Sequence, residues 1–587
     1  MQNNLSILVI LKRLWQYTNQ RRKKQFSALF LLMIFASLVE VMSIGSIFPF
    51  LAIITAPERV EQMGWAQPFL VIFKINNPSE LLLPLTLVFC VAACVSAGVR
   101  LLLVWASAKF SFNAGSDLSI DIYRKTLYQP YAVHILKNSS EIIDGISAKT
   151  QHAIGVLTSI LNCLASAVMV IAISAALLYI EPLVALIAFT SFGSLYACVV
   201  WLTHKRLRVN SQKIARNSTD VIKSLQEGLN GIRDVLITGT QAFYSELYRK
   251  ADLPLKKAHA ANSFMATSPR YAMEGIGLVL IATLTYLLSI SVASVETVIP
   301  TIGALAMGAQ RLLPLLQNLY LSWAQIIGGQ ASLRDVLMLL EQPLPQYAND
   351  NKIVVPIKFN DKILLQNVSF QYDKQMPLVL KNIELAIKKG SRVGFVGTTG
   401  SGKSTLLDIV MGLLVPSSGT VLVDGVPISR TDPRAWQSHI AHVPQSIYLA
   451  DTTIAENIAF GVPWSQIRVD KLVKAAELAQ IADTIDALPL GYETIVGERG
   501  VRLSGGQRQR IGIARALYRD ADVIIFDEAT SALDSETEQA VIAAIRSLST
   551  ELTILTIAHR ESTIRECSLV YRIVNGRLYK EEILRDG

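Results

Sequence analysis

The chain has two halves with different patterns of apolar and polar residues. Its first ~330 residues are long apolar runs separated by polar connections, and the rest alternates short apolar runs with turns and mixed segments. About 20 helical residues cross a hydrocarbon core of ~30 Å, and helices satisfy their own backbone hydrogen bonds in lipid. The pattern therefore predicts six transmembrane helices, at about 26–55, 81–108, 156–179, 183–203, 265–290 and 298–327.

Basic residues are divided unequally between the connections. The segments 1–25, 109–155 and 204–262 contain twenty-two Lys and Arg together, whereas the alternate connections contain only Arg59 and Lys74. Lys and Arg collect in cytoplasmic loops of membrane proteins, so both termini are predicted to be cytoplasmic. Composition agrees, with 51% hydrophobic and 17% charged residues. The net charge of +9 then reflects cytoplasmic loops rather than a nucleic-acid partner.

The connections differ in length. The two internal connections are long and helix-forming, so the membrane helices are expected to continue into the cytoplasm. Their bends, near Pro130–Lys137 and Asp234–Phe243, would contact a cytoplasmic domain. The external connection at 56–80 fits two structures equally well: a short helix on the outer membrane surface, or a loop with one apolar patch.

The second half is typical of a soluble α/β domain. Runs such as Ile363–Phe370 alternate, and runs such as Val523–Phe526 are continuously apolar, as in buried strands. The predicted fold class is an α-helical membrane domain followed by an α/β domain. The predicted boundaries are 1–335 for the membrane domain, 336–360 for a polar linker with prolines, and 361–587 for the α/β domain.

A glycine-rich run follows the predicted strand Arg392–Val396 and opens a predicted helix at Ser404–Leu414. Glycines let backbone N–H groups wrap phosphates, and the helix N-terminus adds a favourable dipole. Lys403 is expected to neutralise the β- and γ-phosphates, and the Ser404 hydroxyl to bind Mg²⁺. The predicted ATP-binding loop consists of Gly397, Thr398, Thr399, Gly400, Ser401, Gly402, Lys403, Ser404 and Thr405. The α/β half, 361–587, is therefore predicted to be a phosphate-loop nucleotide-binding domain.

Two carboxylates follow the apolar run Val523–Phe526. Asp527 is expected to hold Mg²⁺, and Glu528 to polarise the attacking water as the catalytic carboxylate. Two acids at a strand end are often only solvated side chains. The phosphate loop about 120 residues earlier in the chain favours the catalytic interpretation.

The run Leu503–Gln507 resembles the signature of ABC ATPases. A serine hydroxyl and glycine N–H groups at a helix start suit an anion. In that family the signature binds the γ-phosphate held by the opposite subunit. The chain has one copy of each motif, so the resemblance implies a homodimer. Its signature residues are Ser504, Gly505, Gly506 and Gln507.

Other segments resemble the same family. Tyr372 resembles the aromatic residue that stacks on adenine, and Gln445 resembles the glutamine that contacts Mg²⁺ and water. Ser531–Asp534 resembles the D-loop, and His559 resembles the catalytic switch histidine on the γ-phosphate. Thr494–Gly500 resembles a loop found in ABC exporters. The resemblance implies an ATP hydrolase with Mg²⁺ as cofactor, coupled to transport.

The cargo is less well determined by the residues. Five ionisable side chains interrupt the predicted spans, and buried charges in membranes usually face a cavity or a partner. Arg100 and Arg311 are candidates for a substrate path. The alternative is that Glu40–Arg100 and Arg270–Glu274 pair only to orient helices.

The membrane helices are similar to those of bacterial lipid-linked oligosaccharide flippases, in Glu40–Phe50, Pro269–Glu274 and Arg311–Pro314. That resemblance implies an amphipathic lipid substrate, the bilayer as partner and the bacterial inner membrane as location. An exporter of lipid A-type lipids or drugs is the alternative. A peptide exporter fits less well, because the segment of about 25 residues before the first span is too short for a peptidase domain. A soluble ABC ATPase acting on nucleic acid conflicts with six spans.

Overall fold

The computed structural model describes residues 6–46, 82–180, 182–291, 295–348, 354–430, 432–528, 538–539, 543, 551–557, 564–565 and 567–581. The chain divides into two compact units. The first unit comprises Met1–Gln129 and Lys137–Leu344, and the second comprises Pro130–Leu136 and Pro345–Gly587.

The first unit is helical, and its long helices exceed the thickness of a membrane. A helix of 46 residues, such as Leu82–Leu127, is about 69 Å long. A π-helical turn at Gly145–Lys149 connects the helix Ser139–Asp144 to the helix Thr150–Ile180. In chain order the helices are α1 (Ile7–Tyr17), α2 (Gln20–Gly45), α3 (Leu82–Leu127), α5 (Ser139–Asp144), α6 (Thr150–Ile180), α7 (Pro182–Asn230), α8 (Ile232–Thr238), α9 (Gln241–Ser291) and α10 (Val295–Leu340), while α4 (Tyr131–Leu136) belongs to the second unit.

Three segments of the described chain are long and apolar enough to cross a membrane: Gln20–Ser43, Leu82–Leu127 and Ser139–Ala176. The other predicted spans lie inside the long helices α7, α9 and α10. The helical membrane half followed by an α/β half confirms the predicted fold class. The end of the first predicted span and the connection 56–80 lie outside the described residues.

A buried carboxylate links α5 to the long helix α7 and, through a lysine, to α10. Asp144, at the end of α5, is fully buried. Its two oxygens accept hydrogen bonds from Ser218 and Thr219 of α7, at 2.6 Å each, and Lys149 Nζ lies 3.5 Å away. Lys149 also donates to Asp335 of α10 over 2.8 Å. A buried charge needs such partners, because leaving it unpaired costs several kcal/mol, about 3–5.

The second unit contains two sheets. The larger sheet has the strand order β10-β9-β3-β8-β7-β6, parallel except for the β9–β10 pair, and the smaller antiparallel sheet has the order β2-β1-β4-β5. The strands are β1 (Lys362–Phe370), β2 (Leu380–Lys388), β3 (Arg392–Val396), β4 (Ser418–Val423), β5 (Val426–Pro427), β6 (Ile440–Val443), β7 (Val523–Asp527), β8 (Thr553–Ile557), β9 (Leu569–Val574) and β10 (Arg577–Glu581).

Helices of the second unit complete two apolar cores. They are α11 (Lys403–Val410), α12 (Pro433–Gln437), α13 (Ile454–Ile458), α14 (Val469–Leu478), α15 (Ala482–Asp486) and α16 (Gly505–Tyr518). One core joins both sheets to α11, and the fully buried Trp436 donates its Nε1–H to Val410 O over 2.7 Å within it. Ala132 of α4 packs against this core. The second core packs α13, α14 and α16 around Ile511 and Val496.

Candidate functional site

The candidate site lies along one edge of the larger sheet. Because β3, β6, β7 and β8 are parallel, their carboxyl ends meet at the same edge, where α/β proteins commonly bind ligands. Gly397 follows β3, Gln445 follows β6, and Glu528 follows β7. Sequence positions 48 to 131 residues apart are therefore brought to one edge by the topology alone.

The loop after β3 depends on glycine at two positions. Gly397 has φ +152°, and a Cβ there would lie 2.5 Å from the carbonyl oxygen of Ile573. Gly402 has φ +105°, and a Cβ there would lie 2.9 Å from Leu380 Cδ2. Any side chain would clash at these positions and strain the backbone. Bare backbone is what an anion-binding loop needs, since its N–H groups must approach the phosphates.

Lys403 spans this loop from the first turn of α11. Its side chain is buried, and Nζ donates to Gly397 O over 2.8 Å and to Thr398 O over 3.0 Å. Ser404 beside it is exposed. Ser401 is buried, and its Oγ has no hydrogen-bond partner among the described residues. The start of α11 thus brings together the Lys403 ammonium, the exposed Ser404 hydroxyl and the unpaired Ser401 hydroxyl. Such groups at a helix N-terminus suit a polyphosphate.

Tyr372 lies at the side of the same loop. Its hydroxyl is 3.0 Å from Thr405 Oγ1, and its ring packs edge-on against Phe370 with the centroids 5.0 Å apart. Thr405 is the third residue from the loop's last glycine. The aromatic ring predicted to stack on adenine is thus tied to the helix that follows the phosphate loop.

Gln445 and Glu528 are joined directly. Gln445 Nε2 donates to Glu528 Oε2 over 2.8 Å, and Glu528 has φ +50°, a left-handed backbone conformation that costs on the order of 1 kcal/mol for a non-glycine residue. With its amide nitrogen used in this way, Gln445 keeps its amide oxygen for another partner. Strain of this kind is concentrated at functional sites.

The oxygen donors at this edge fit Mg²⁺. Ser404 offers a hydroxyl, Gln445 an amide oxygen and Asp527 a carboxylate, and Mg²⁺ takes such oxygen ligands. The described residues contain no cluster of three His, Cys, Asp or Glu side chains that would enclose an ion by itself. An ion held here would therefore complete its shell with phosphate oxygens and water, as Mg²⁺ does in nucleotide sites.

One ionisable side chain close to Asp527, that of Asp408, was not expected from the sequence. Asp408 stands inside the apolar helix α11, and burial, followed by the negative charge of Asp527, raises its pKa to about 6. The only sequence signal is an acid within the run Leu406–Val410, which otherwise is apolar. Neighbouring carboxylates disfavour each other's ionisation, so Asp408 is coupled to the charge held at Asp527.

The signature segment forms a capped helix start. Ser504 is the N-cap of α16, where its Oγ accepts from Gln507 N over 3.2 Å and its own N–H donates to Gln507 Oε1 over 2.8 Å. Ser504 and Gly505 are exposed, and the helix behind them has 14 residues. The N-terminus of a long helix therefore faces solvent with small residues around it, which suits an anion from outside.

Several of the predicted site residues lie outside the part of the chain that the structure describes. His559 and Ser531–Asp534 lie outside the described residues, and so does the side chain of Arg311. Arg100 is described: its Nη1 lies 3.5 Å from Glu40 Oε1, with Glu40 almost fully buried. Ser96 Oγ donates to the other oxygen of Glu40.

The second intramembrane pair is also present. Arg270 Nε donates to Glu274 Oε1 over 2.8 Å along one face of α9. Both predicted pairs, Glu40–Arg100 and Arg270–Glu274, are therefore formed. The contact with Glu40 does not prevent Arg100 from binding a substrate as well. Its side chain remains 47% exposed, and a guanidinium has five N–H donors.

Comparison with known proteins agrees with these observations. A family model described as "ABC transporter" matches residues 380–531. The ATP-dependent lipid A-core flippase of Chromohalobacter salexigens is 30% identical over 524 residues, which is 87% of this chain and 89% of the relative. The heterocyst differentiation ATP-binding protein HepA of Nostoc sp. is 29% identical over 564 residues, covering 93% of this chain and 89% of the relative.

A solved structure has the same fold over nearly the whole chain. A bacterial Atm1-family ABC exporter with ATP bound superposes with a TM-score of 0.77 at 22% identity, covering 96% of this chain and 95% of the other. The similarity includes the helical half as well as the nucleotide-binding half. From its site and these relatives, the chain belongs to the ABC transporter family and is a half-transporter of the exporter type, in which ATP hydrolysis is coupled to transport.

Proposed function

We propose that the chain forms a homodimer that flips a phosphorylated glycolipid across the bacterial inner membrane by alternating access. The observation that carries this proposal is that one chain has two separate surfaces suited to binding a nucleotide. One edge of the sheet has a phosphate loop with catalytic-type carboxylates, while an exposed signature at Ser504 and Gly505 is free to receive a second chain's nucleotide. Two chains would then form two equivalent ATP sites.

Each site residue has a role in hydrolysis. Lys403 and the loop N–H groups bind the phosphates, and Tyr372 stacks on adenine. Glu528 polarises the attacking water, with Gln445 holding its carboxylate at 2.8 Å, and His559 contacts the γ-phosphate. Mg²⁺ held by Ser404, Gln445 and Asp527 would supply charge neutralisation on the phosphates.

The membrane domain is assigned to 1–335, the linker to 336–360 and the nucleotide-binding domain to 361–587. Both termini are assigned to the cytoplasm. The asymmetry of Lys and Arg between the connections supports this orientation. Trp105 is 58% exposed with Lys109 Nζ 4.6 Å from its ring centroid, which suits a membrane interface near the end of the second predicted span.

The cationic positions support an anionic head group on the cargo. Arg100 is held by Glu40 yet half exposed, so it keeps donors for a phosphate, which guanidinium groups bind in a bidentate manner. Arg311 would act further along the path. Hydrocarbon contributes about 0.8 kcal/mol per CH₂, so the lipid tail would stay in the bilayer while only the head group moves.

A lipid-linked oligosaccharide, with its pyrophosphate, is the substrate we propose first. A lipid A-type lipid is the second candidate, because relatives that cover most of this chain are named lipid A-core flippases. Both are glycosylated, phosphorylated amphipathic lipids, and the same arginines would serve either.

A flipping assay in proteoliposomes would distinguish these cargoes. Purified protein would be given a fluorescent lipid-linked oligosaccharide, a lipid A-type lipid or a hydrophobic drug, each with ATP or a non-hydrolysable analogue. We expect ATP-dependent movement and ATPase stimulation with the oligosaccharide lipid. Movement of lipid A alone would establish the second candidate, and movement of the drug alone would refute both.

A further inference from the structure

A cavity lies in the first unit between α1, the start of α2, α3 and α6. Its volume is about 620 Å³, large enough for a lipid head group with part of a chain. Aromatic and aliphatic side chains form its inner wall, among them Trp15, Phe26, Phe110 and Leu161, while Lys12, Arg21 and Asp121 lie at its edge. It is separate from the Arg100–Glu40 pair and from the nucleotide site.

Helix α1 closes this cavity and has apolar residues on two sides. Ile10 and Leu14 are buried against α10 and its neighbours. Leu8, on another side of the helix and outside the cavity lining, is 75% exposed. A short helix with an outward apolar side and basic residues beside it lies in the plane of a membrane interface. The cavity behind α1 is therefore at the depth of lipid head groups.

The charged side chains at the cavity are of two kinds: one ion pair, and side chains without a hydrogen-bond or ion-pair partner among the described residues. Arg22 donates to both oxygens of Asp117, at 2.7 and 3.2 Å, so this pair is satisfied. Lys12, Arg21 and Asp121 make no hydrogen bond and no ion pair to any residue that the structure describes. The cavity edge thus presents two cations and one carboxylate.

The neighbours of Asp121 do not neutralise it by contact. Lys125 attracts Asp121 electrostatically, but its ammonium donates to Leu340 O and lies 4.6 Å from the centroid of the Tyr17 ring. A ligand that complements this edge needs an anion for Lys12 and Arg21 and a separate hydrogen-bonding cation for Asp121.

We propose that this cavity binds an aminophospholipid, of the phosphatidylethanolamine type, from the surrounding leaflet. Its phosphate contacts Arg21 and Lys12, its primary ammonium contacts Asp121, and one acyl chain packs against the cluster of rings formed by Trp15, Phe26 and Phe110. The bound lipid joins α1 to the bundle and is distinct from the transported cargo.

The arrangement discriminates between common head groups. Phosphatidylglycerol has the phosphate but no cation, so Asp121 would face a net negative ligand. Phosphatidylcholine has a cation without N–H donors, so it cannot form the charge-assisted hydrogen bond that an ammonium makes to a carboxylate. Of these three lipids, only phosphatidylethanolamine satisfies both ends of the site.

Native mass spectrometry of the full-length protein would test the proposal. The protein would be titrated with phosphatidylethanolamine, phosphatidylcholine and phosphatidylglycerol of identical acyl chains. We expect phosphatidylethanolamine to bind about five- to tenfold more tightly than either of the others. Asp121→Asn should abolish this preference, and Arg21→Gln should weaken all three lipids.

Matched controls separate the cavity from general charge effects. Lys24→Gln removes an exposed cation of α2, and Asp220→Asn removes an exposed carboxylate of α7, both away from the cavity. Both should retain the preference. Ala114→Phe should fill the cavity and remove binding, with thermal unfolding as the check that it folds.

Two results would overturn the proposal. Equal binding of the three lipids, or a preference that survives Asp121→Asn, would remove the ammonium contact. Tightest binding of phosphatidylglycerol, lost in Arg21→Gln, would identify the cavity as a site for acidic lipids instead.

Discussion

The side-chain amide of Gln445 donates a hydrogen bond to Oε2 of Glu528 over 2.8 Å. Gln445 follows β6 and Glu528 follows β7, so the bond connects two adjacent strands at the carboxyl edge of the sheet. Any movement of the segment after β6 will therefore move a hydrogen-bond partner of the carboxylate to which we assign catalysis. This contact offers a direct physical route from the position of Gln445 to the orientation of Glu528.

The first prediction concerns that carboxylate. Glu528→Gln should keep ATP affinity but lower turnover by about 10²–10⁴-fold, since an amide cannot accept a proton from water as a carboxylate does. Phosphate release and binding of a fluorescent nucleotide would be measured on the same preparation. Glu551→Gln, an acid distant in sequence, is the control. Turnover near the wild-type rate would remove Glu528 from its role.

The second prediction concerns the phosphate loop. Lys403→Ala should weaken ATP binding by about 10- to 100-fold, because it removes a charge-assisted contact worth about 1.5–3 kcal/mol. Lys381→Ala, on the exposed part of β2, should bind normally. Equilibrium binding with thermal unfolding alongside would separate lost contacts from lost folding. Unchanged affinity in the Lys403 variant would contradict the assigned contact.

Assembly can be tested with mixed dimers. Light scattering should give double the 64.5 kDa of one chain. If the signature acts on the opposite subunit, Lys403→Ala on one chain and Ser504→Ala on the other leave one intact site. Placing both substitutions on the same chain disables both sites. Residual ATPase activity in the first dimer and none in the second is expected, and the reverse pattern would show that each site lies within one chain.

The pH dependence of stability follows from Asp408, whose pKa is raised to about 6 by burial and by the charge of Asp527. The native state binds this proton more tightly than the unfolded chain, so ionisation destabilises the native state as pH rises from about 4 through about 6. In nucleotide-free and magnesium-free protein, Asp408→Asn should raise stability at pH 8, by about 1–2 kcal/mol once solvent screening of this partly exposed carboxyl is allowed for.

This gain should shrink as the pH is lowered to 5, and melting temperatures at both pH values would show it. Asp483→Asn, an exposed acid in α15, serves as the control. A gain that is the same at pH 5 and pH 8 would mean that ionisation of Asp408 is not its cause.

Cargo contact is tested at Arg100. Arg100→Ala should lower flipping of the anionic lipid while leaving basal ATPase activity intact, because the substitution removes phosphate donors in the helical unit and changes no residue of the nucleotide site. Arg100→Lys keeps a positive charge beside Glu40 but loses bidentate geometry. Intermediate flipping is expected for it. Normal flipping by both variants would leave Arg100 as a helix-orienting residue only.

Local patterns predicted the general architecture, and long-range contacts came only from the structure. Apolar runs gave the membrane helices, and the glycine positions gave the phosphate loop, because both are set by nearby residues. The pairing of Arg22 with Asp117 joins residues 95 positions apart, and no local pattern encodes it. The proximity of Asp408 to Asp527 likewise depends on how α11 packs beneath β7. The Glu40–Arg100 pair could be suggested from the sequence, because a charge inside a membrane helix requires a partner.

The π-helical turn at Gly145–Lys149 has a consequence for how this chain can change in evolution. Such a turn holds one residue more than an α-helix would. Five residues in this wider turn wind about as far around the axis as four α-helical residues would, so Asp144 still faces Ser218 and Thr219. Losing one residue here would restore regular winding and keep that facing, whereas losing one residue from the regular helix α6 would rotate Asp144 by about 100° relative to the rest of α6. Related chains should therefore differ in length by one residue at Gly145–Lys149 more readily than within α6.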